Sequence, residues 1–168
     1  MKLAIIMSGM MRNFEHTIFS NRKFLLNDEF FDIKDIFFCG YADGMTLINA
    51  KSRFEALYSP KRFEIVNWNN DLKNLIETKT GCYKWENIQN HKSNLTNVMS
   101  SWRCRYIANQ LRIEYENINK INYDLIYNLR TDFFLFNNID HNLAIKASKE
   151  NNSVYVPRDW DFKSVNKS

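Results

Sequence analysis

The run Leu3-Ala4-Ile5-Ile6-Met7 near the amino terminus is apolar without a break. A strand with one wet face alternates polar and apolar residues, so an unbroken run describes a strand covered on both faces. Sheets covered on both faces are built from parallel strands joined by helical crossovers, and the rest of the chain reads that way. Further strands are expected at Asp35–Cys39, Arg62–Val66 and Asp124–Leu129, with a last extended piece at Val154–Pro157. Helical patterns fall between them at about Phe14–Leu26, Met45–Leu57 and Leu95–Ile118. Ser93 or Asn94 is placed to cap the last helix, and Leu95, Val98, Met99, Trp102, Tyr106 and Ile107 are assigned to its buried face. Residues 71–92 are polar and read as a short helix plus loop. The expectation is one α/β domain, Rossmann-like, with a mostly parallel sheet and flanking helices over residues 1–157, followed by a polar tail at 158–168.

Composition narrows the function classes. At 168 residues with 45% hydrophobic and 15% aromatic side chains, the chain can bury a core and is not disordered. Cys39, Cys82 and Cys104 are far apart and odd in number, which argues against a disulfide framework or a structural zinc site. No apolar run approaches the roughly 20 residues that span a bilayer, and no cleavage site follows the first strand, so a cytoplasmic protein is expected. The triplets at Asn94, Asn151 and Asn166 follow from an Asn surplus that an AT-rich genome accounts for, and imply no glycosylation. A net charge of +4 and a pI near 8.9 fall short of a nucleic-acid binder's dense basic clusters. That charge suits a phosphorylated small molecule or peripheral contact with an anionic membrane, and selects neither.

In open parallel sheets, ligands sit beyond the carboxyl ends of the strands. Two polar clusters stand at such ends. Ser8-Gly9-Met10-Met11-Arg12-Asn13 follows the first strand: Gly9 admits close backbone approach, and the Arg12 guanidinium suits phosphate oxygens. The same segment also reads as a plain strand-to-helix turn with a solvated Arg. Arg130-Thr131-Asp132 follows the fourth strand; Asp132 either holds a divalent cation on a diphosphate or simply pairs with Arg130. A third cluster lies on the long helix at Ser100–Arg105, where Trp102 reads as core and Arg103 and Arg105 as solvated. Cys104 reads as a small core residue. His16, His91 and His141 are isolated in sequence, and neither GxGxxG nor GxxxxGK[ST] is present.

Several of these segments, in order, resemble a family of glycosyltransferases from bacterial surface-polysaccharide loci and viruses. They are Ser8-Gly9-x-x-Arg12-Asn13-Phe14, Asp35-Ile36-Phe37-Phe38, Tyr58-Ser59-Pro60-Lys61, Asn97-x-x-Ser100-x-Trp102 and Tyr123-Asp124-Leu125-Ile126-x-x-x-Arg130-x-Asp132. The resemblance implies a type-A glycosyltransferase fold and transfer of a sugar from a UDP- or GDP-sugar to a glycan acceptor. It implies donor contacts from Ser8, Gly9, Arg12, Asn13 and Arg130, and Mg²⁺ or Mn²⁺ at Asp132. Ser100 and Trp102 would be donor or acceptor contacts. Arg130 stands where an Asp-x-Asp motif has its first Asp, so it could itself neutralise the diphosphate. The family's further Gly- and Asp-containing segment has no counterpart before Ser168. A non-catalytic nucleotide-sugar module completed by a partner chain is therefore the rival, with a homo-oligomer also open. The resemblance names no catalytic base; Asp159 and Asp161 are candidates by position alone.

Overall fold

A computed structural model describes residues 1–11, 13–41, 47–66 and 92–149. Among them, four strands, β1 (Lys2–Met10), β2 (Ile33–Tyr41), β3 (Arg62–Ile65) and β4 (Leu125–Arg130), form one sheet in the order β3-β2-β1-β4. Every pairing is parallel. Helix α1 (Phe14–Asn21), extended by a π-helical turn at Arg22–Leu26, joins β1 to β2, and α2 (Leu47–Tyr58) stands between β2 and β3. The long α3 (Lys92–Asn119) precedes β4, and α4 (His141–Lys149) follows it. The first strand continues through Ser8-Gly9, where the sequence suggests a turn, because β2 and β4 still offer ladder partners there: Gly9 pairs with Gly40 and Ser8 with Arg130. Strand order therefore reverses between β1 and β4, the arrangement that opens a crevice at the carboxyl ends of those two strands.

The sheet divides the core in two. On one side Leu3, Ile5, Met7, Phe38 and Leu129 meet Phe14, Ile18, Phe54, Tyr58 and Ala144 from α1, α2 and α4. Rings dominate this layer: Phe38 and Phe54 lie 4.2 Å apart, and Phe54 stacks on Tyr58 at 4.7 Å. Gly40 is required here, since a Cβ would fall 2.3 Å from the Phe38 ring and 2.6 Å from the Gly9 carbonyl oxygen. On the other side Ala4, Ile6, Phe37 and Cys39 pack against Cys104 and Ala108 of α3, with Leu111 and Tyr115 beside them.

That contact corrects the expected face of the long helix at Trp102 and Tyr106, whereas Ile107 packs against this core as expected and the side chains of Leu95, Val98 and Met99 lie outside the described ones. Its buried stripe is Ser100, Cys104 and Ala108, small residues that let α3 approach closely, while Trp102 and Tyr106 are 62% and 65% exposed. Arg103 and Arg105 are not solvated either: both are half-buried, Arg105 Nε is enclosed, and its guanidinium lies 5.0 Å from the Trp102 ring. Helix α3 lies over β1, β2 and β3, leaving Ile126, Asn128 and Arg130 of β4 exposed.

The amino-terminal end of the sheet is closed by paired polar groups. Buried Asp35 accepts a 2.6 Å hydrogen bond from the Tyr123 hydroxyl and faces Lys61 at 3.5 Å. Burial, then this carboxylate, raises the Tyr123 phenol well above its usual range. Asp124 accepts from the Lys2 N–H at 2.7 Å, and the terminal amine pairs with Asp32. His141, read as isolated in sequence, is 5% exposed and held from both sides: Nε2 lies 2.9 Å from Asp28, and Nδ1 lies 2.8 Å from the Tyr127 hydroxyl. The Phe30 N–H, followed by His141, holds the Asp28 carboxyl below its ordinary range. Helix α4, which the sequence reading omits, starts where Asp140 accepts from the Leu143 N–H at 2.9 Å.

Candidate functional site at the carboxyl ends of β1 and β4

One row of side chains crosses all four strands on the α3 side: Glu64, Cys39, Ser8 and Arg130 are register partners in turn. Ser8 is 1% exposed and its Oγ has no hydrogen-bond partner among the described residues. A buried hydroxyl without a partner is uncommon and costs about 1–3 kcal/mol. Its neighbour Cys39 touches the Cys104 thiol of α3; that contact, and then burial, raises the Cys39 thiol far above its usual range. Both thiols are fully buried in the core. Cys104 is thus the small core residue the sequence suggests, and Ser100, one turn earlier on α3, is 4% exposed.

Gly9 holds φ at +128°, a conformation that side chains avoid, although there is room for a Cβ beside Thr131 Oγ1 at 3.6 Å. Here the glycine is needed for its backbone. Thr131, unremarked in sequence, fixes the two strand ends together. Its hydroxyl donates to the Met10 carbonyl at 2.7 Å, and its own carbonyl accepts from Thr17 of α1 at 2.8 Å. Thr17 in turn contacts the Tyr58 hydroxyl at 3.1 Å, and Asn21 donates to that hydroxyl at 3.1 Å. Burial raises the Tyr58 phenol. The only cue in sequence was a small β-branched hydroxyl residue between Arg130 and Asp132 in an apolar setting.

Arg130 and Asp132 form a two-toothed pair: Nε and the terminal amine each donate to one carboxylate oxygen at 2.8 Å. This hydrogen bonding raises the already high guanidinium value. The pairing reading thus describes the local geometry. The carboxylate also fits the implied cation: each oxygen keeps lone pairs after accepting from Arg130, and hard divalent ions take one or two carboxylates plus phosphate oxygens. Among the described residues, no three His, Cys, Asp or Glu side chains group as a ready-made metal cage. Side-chain exposure is 53% for Arg130 and 19% for Asp132, so the cation of the pair is the part that faces outward.

The chain matches no protein-family model, no curated protein and no solved structure. The site residues implied by resemblance therefore stand on position alone. Ser8, Gly9, Arg130 and Asp132 come together at the β1–β4 crevice. Ser100 stands on the helix above the same face, and exposed Trp102 flanks it. Asn13 is exposed in a left-handed turn (φ 58°) opening α1, where its carbonyl accepts the His16 and Thr17 N–H groups. Arg12, Asp159, Asp161 and the extended piece at 154–157 lie outside the described residues, as do Cys82, His91 and the tail.

Proposed function

We propose that the chain binds a UDP- or GDP-sugar at the carboxyl ends of β1 and β4, and acts as a glycosyltransferase toward a glycan acceptor. The observation that carries this reading is the Ser8 hydroxyl, without a partner among the described residues, in register with the half-exposed Arg130 at the point where strand order reverses. The flanking Gly9 backbone adds close access for a bulky anionic group. In such a transfer an acceptor hydroxyl oxygen bonds to the anomeric carbon and loses its proton to solvent, while the bond from that carbon to the diphosphate oxygen breaks and negative charge grows on the departing nucleoside diphosphate. Arg130 is placed to neutralise that charge, and Asp132 orients the guanidinium through its two hydrogen bonds. Asp132 would hold Mg²⁺ or Mn²⁺, which when bound supplies further neutralisation of the diphosphate. Ser8 offers a hydroxyl donor, and Thr131 keeps the two strand ends in fixed relation, a contribution of positioning.

The test is release of free nucleoside diphosphate from a panel of UDP- and GDP-sugars, with and without Mn²⁺. Release from one donor supports transferase chemistry. Binding without release makes the chain a nucleotide-sugar module, and no binding of any donor refutes the reading.

A further inference from the structure

The apolar run after Asp132 does not continue the sheet. Leu135 turns inward, its N–H donating to Ser20 of α1 at 3.3 Å, while Phe134 and Phe136 point out with their rings stacked 6.4 Å apart. Phe136 is 76% exposed, and Phe19, the residue before Ser20, is 77% exposed. Leu143 of α4 adds a fourth exposed apolar side chain at 48%. Soluble faces do not normally carry this many free rings beside one another.

The free charges nearest these rings on α1 and α4 are mainly positive. Lys23 stands one helical turn after Phe19, and Lys146 and Lys149 stand one and two turns after Leu143; all three are exposed and make no ion pair among the described residues. Of the nearby carboxylates, Glu15 pairs with Arg53 and Asp132 with Arg130, and Asp140 caps α4, while Glu29 beside the Asp28–His141 contact is exposed. Aromatic rings ringed by unneutralised lysines match a surface that is anionic outside and apolar just beneath.

We infer that the face made by α1, the 133–139 segment and α4 docks on an anionic phospholipid bilayer, with Phe19, Phe134 and Phe136 entering the headgroup boundary and the lysines meeting lipid phosphates. This inference stands apart from the nucleotide reading, since it is measured without any nucleotide. The experiment is co-sedimentation of the full chain with vesicles of phosphatidylcholine alone, and of phosphatidylcholine and phosphatidylglycerol in equal parts. Binding is expected to the anionic vesicles and to weaken with salt. Phe136→Ser should reduce partitioning about tenfold. Lys146→Gln with Lys149→Gln should reduce it by a similar factor. Ile118→Ser, at a 66% exposed position on α3, should change nothing. Failure to bind anionic vesicles would overturn the inference, as would binding that Phe136→Ser leaves unchanged. Lipid-independent self-association abolished by Phe136→Ser would assign the face to a second copy instead and also overturn it.

Discussion

The two ends of the same sheet differ in what their polar groups leave over. At the amino-terminal end, Asp35, Tyr123, Asp124, Lys2, Asp28, His141 and Tyr127 are joined by hydrogen bonds, each of 2.6 to 2.9 Å. At the carboxyl end Thr131 and the Arg130–Asp132 pair are also bonded, but Ser8 is enclosed without a partner among the described residues, Gly9 holds a conformation closed to side chains, and Arg130 faces outward. An end whose polar groups are satisfied internally has little left for a ligand. An end that carries a donor unsatisfied among the described residues, a glycine-only backbone and a projecting cation keeps groups to offer a ligand. Five motif residues of the resemblance sort the same way: Asp35 and Asp124 bond within the fold below, while Ser8, Arg130 and Asp132 gather above.

This contrast can be broken by mutation. The largest effect is expected at Asp132→Ala. Nucleoside diphosphate release should fall at least about 100-fold, as when one element of electrostatic preorganisation is lost. Because Arg130 is 53% exposed, the lost pair should cost no more than about 1 kcal/mol in a urea unfolding curve. A variant that unfolds far more readily yet keeps its activity would place Asp132 among the structural residues. Asp35→Ala should do the reverse, costing roughly 1–2 kcal/mol because it strands the half-buried Tyr123 hydroxyl, while nucleotide affinity of the folded protein stays unchanged. Gly9→Ala should cost about 1–3 kcal/mol from backbone strain alone, since there is space for the methyl group.

Ser8→Ala is the sharpest of the smaller tests, because its two effects have opposite signs. Removing an unpartnered buried hydroxyl should leave the melting temperature unchanged or raise it, while nucleotide affinity falls about tenfold, the value of one hydrogen bond to a charged group. Unchanged affinity would remove Ser8 from the site. The smallest effect concerns pH at the satisfied end. The Asp28 carboxyl is held low when folded, so its contribution is complete above the ordinary carboxylate range and is lost as pH falls through the folded value. Asp28→Asn should therefore flatten the acid limb of a stability profile, read from urea midpoints at successive pH values. A limb as steep as in the parent chain would show that Asp28 is not coupled to folding.

The alternation of strands and helices was legible because an unbroken apolar run as short as Leu3–Met7, ended by Ser8-Gly9, fits little besides a strand covered on both faces. The inward face of α3 was not. The helical spacing of large side chains favours Trp102 and Tyr106, but close packing against Phe37 and Cys39 selects small residues; Cys104 was legible as one of these, while Ser100 and Ala108 lie outside the stripe of large apolar residues. The end of β1 was misplaced for a related reason: Ser8-Gly9 is a local turn signal, overridden by neighbours that come from residues 40 and 130. Contacts between distant residues also hid His141, whose partners Asp28 and Tyr127 lie 113 and 14 positions away. Among the site residues, Ser8, Arg130 and Asp132 could be named from strand-end position. Thr131 could not, because its part is to join β4 to β1 and is visible only once those strands are neighbours.

The central claim, that the carboxyl end of β1 and β4 takes the diphosphate of a nucleotide sugar, is tested most directly by amide NMR shifts on titration with UDP and GDP in the presence of Mg²⁺. The account predicts saturable shifts concentrated at Ser8–Met11, Gly40–Tyr41 and Arg130–Phe133, with Asp35, Tyr123 and Asp124 unmoved. Saturable shifts centred on the amino-terminal end, or no shifts with either nucleotide, would contradict it.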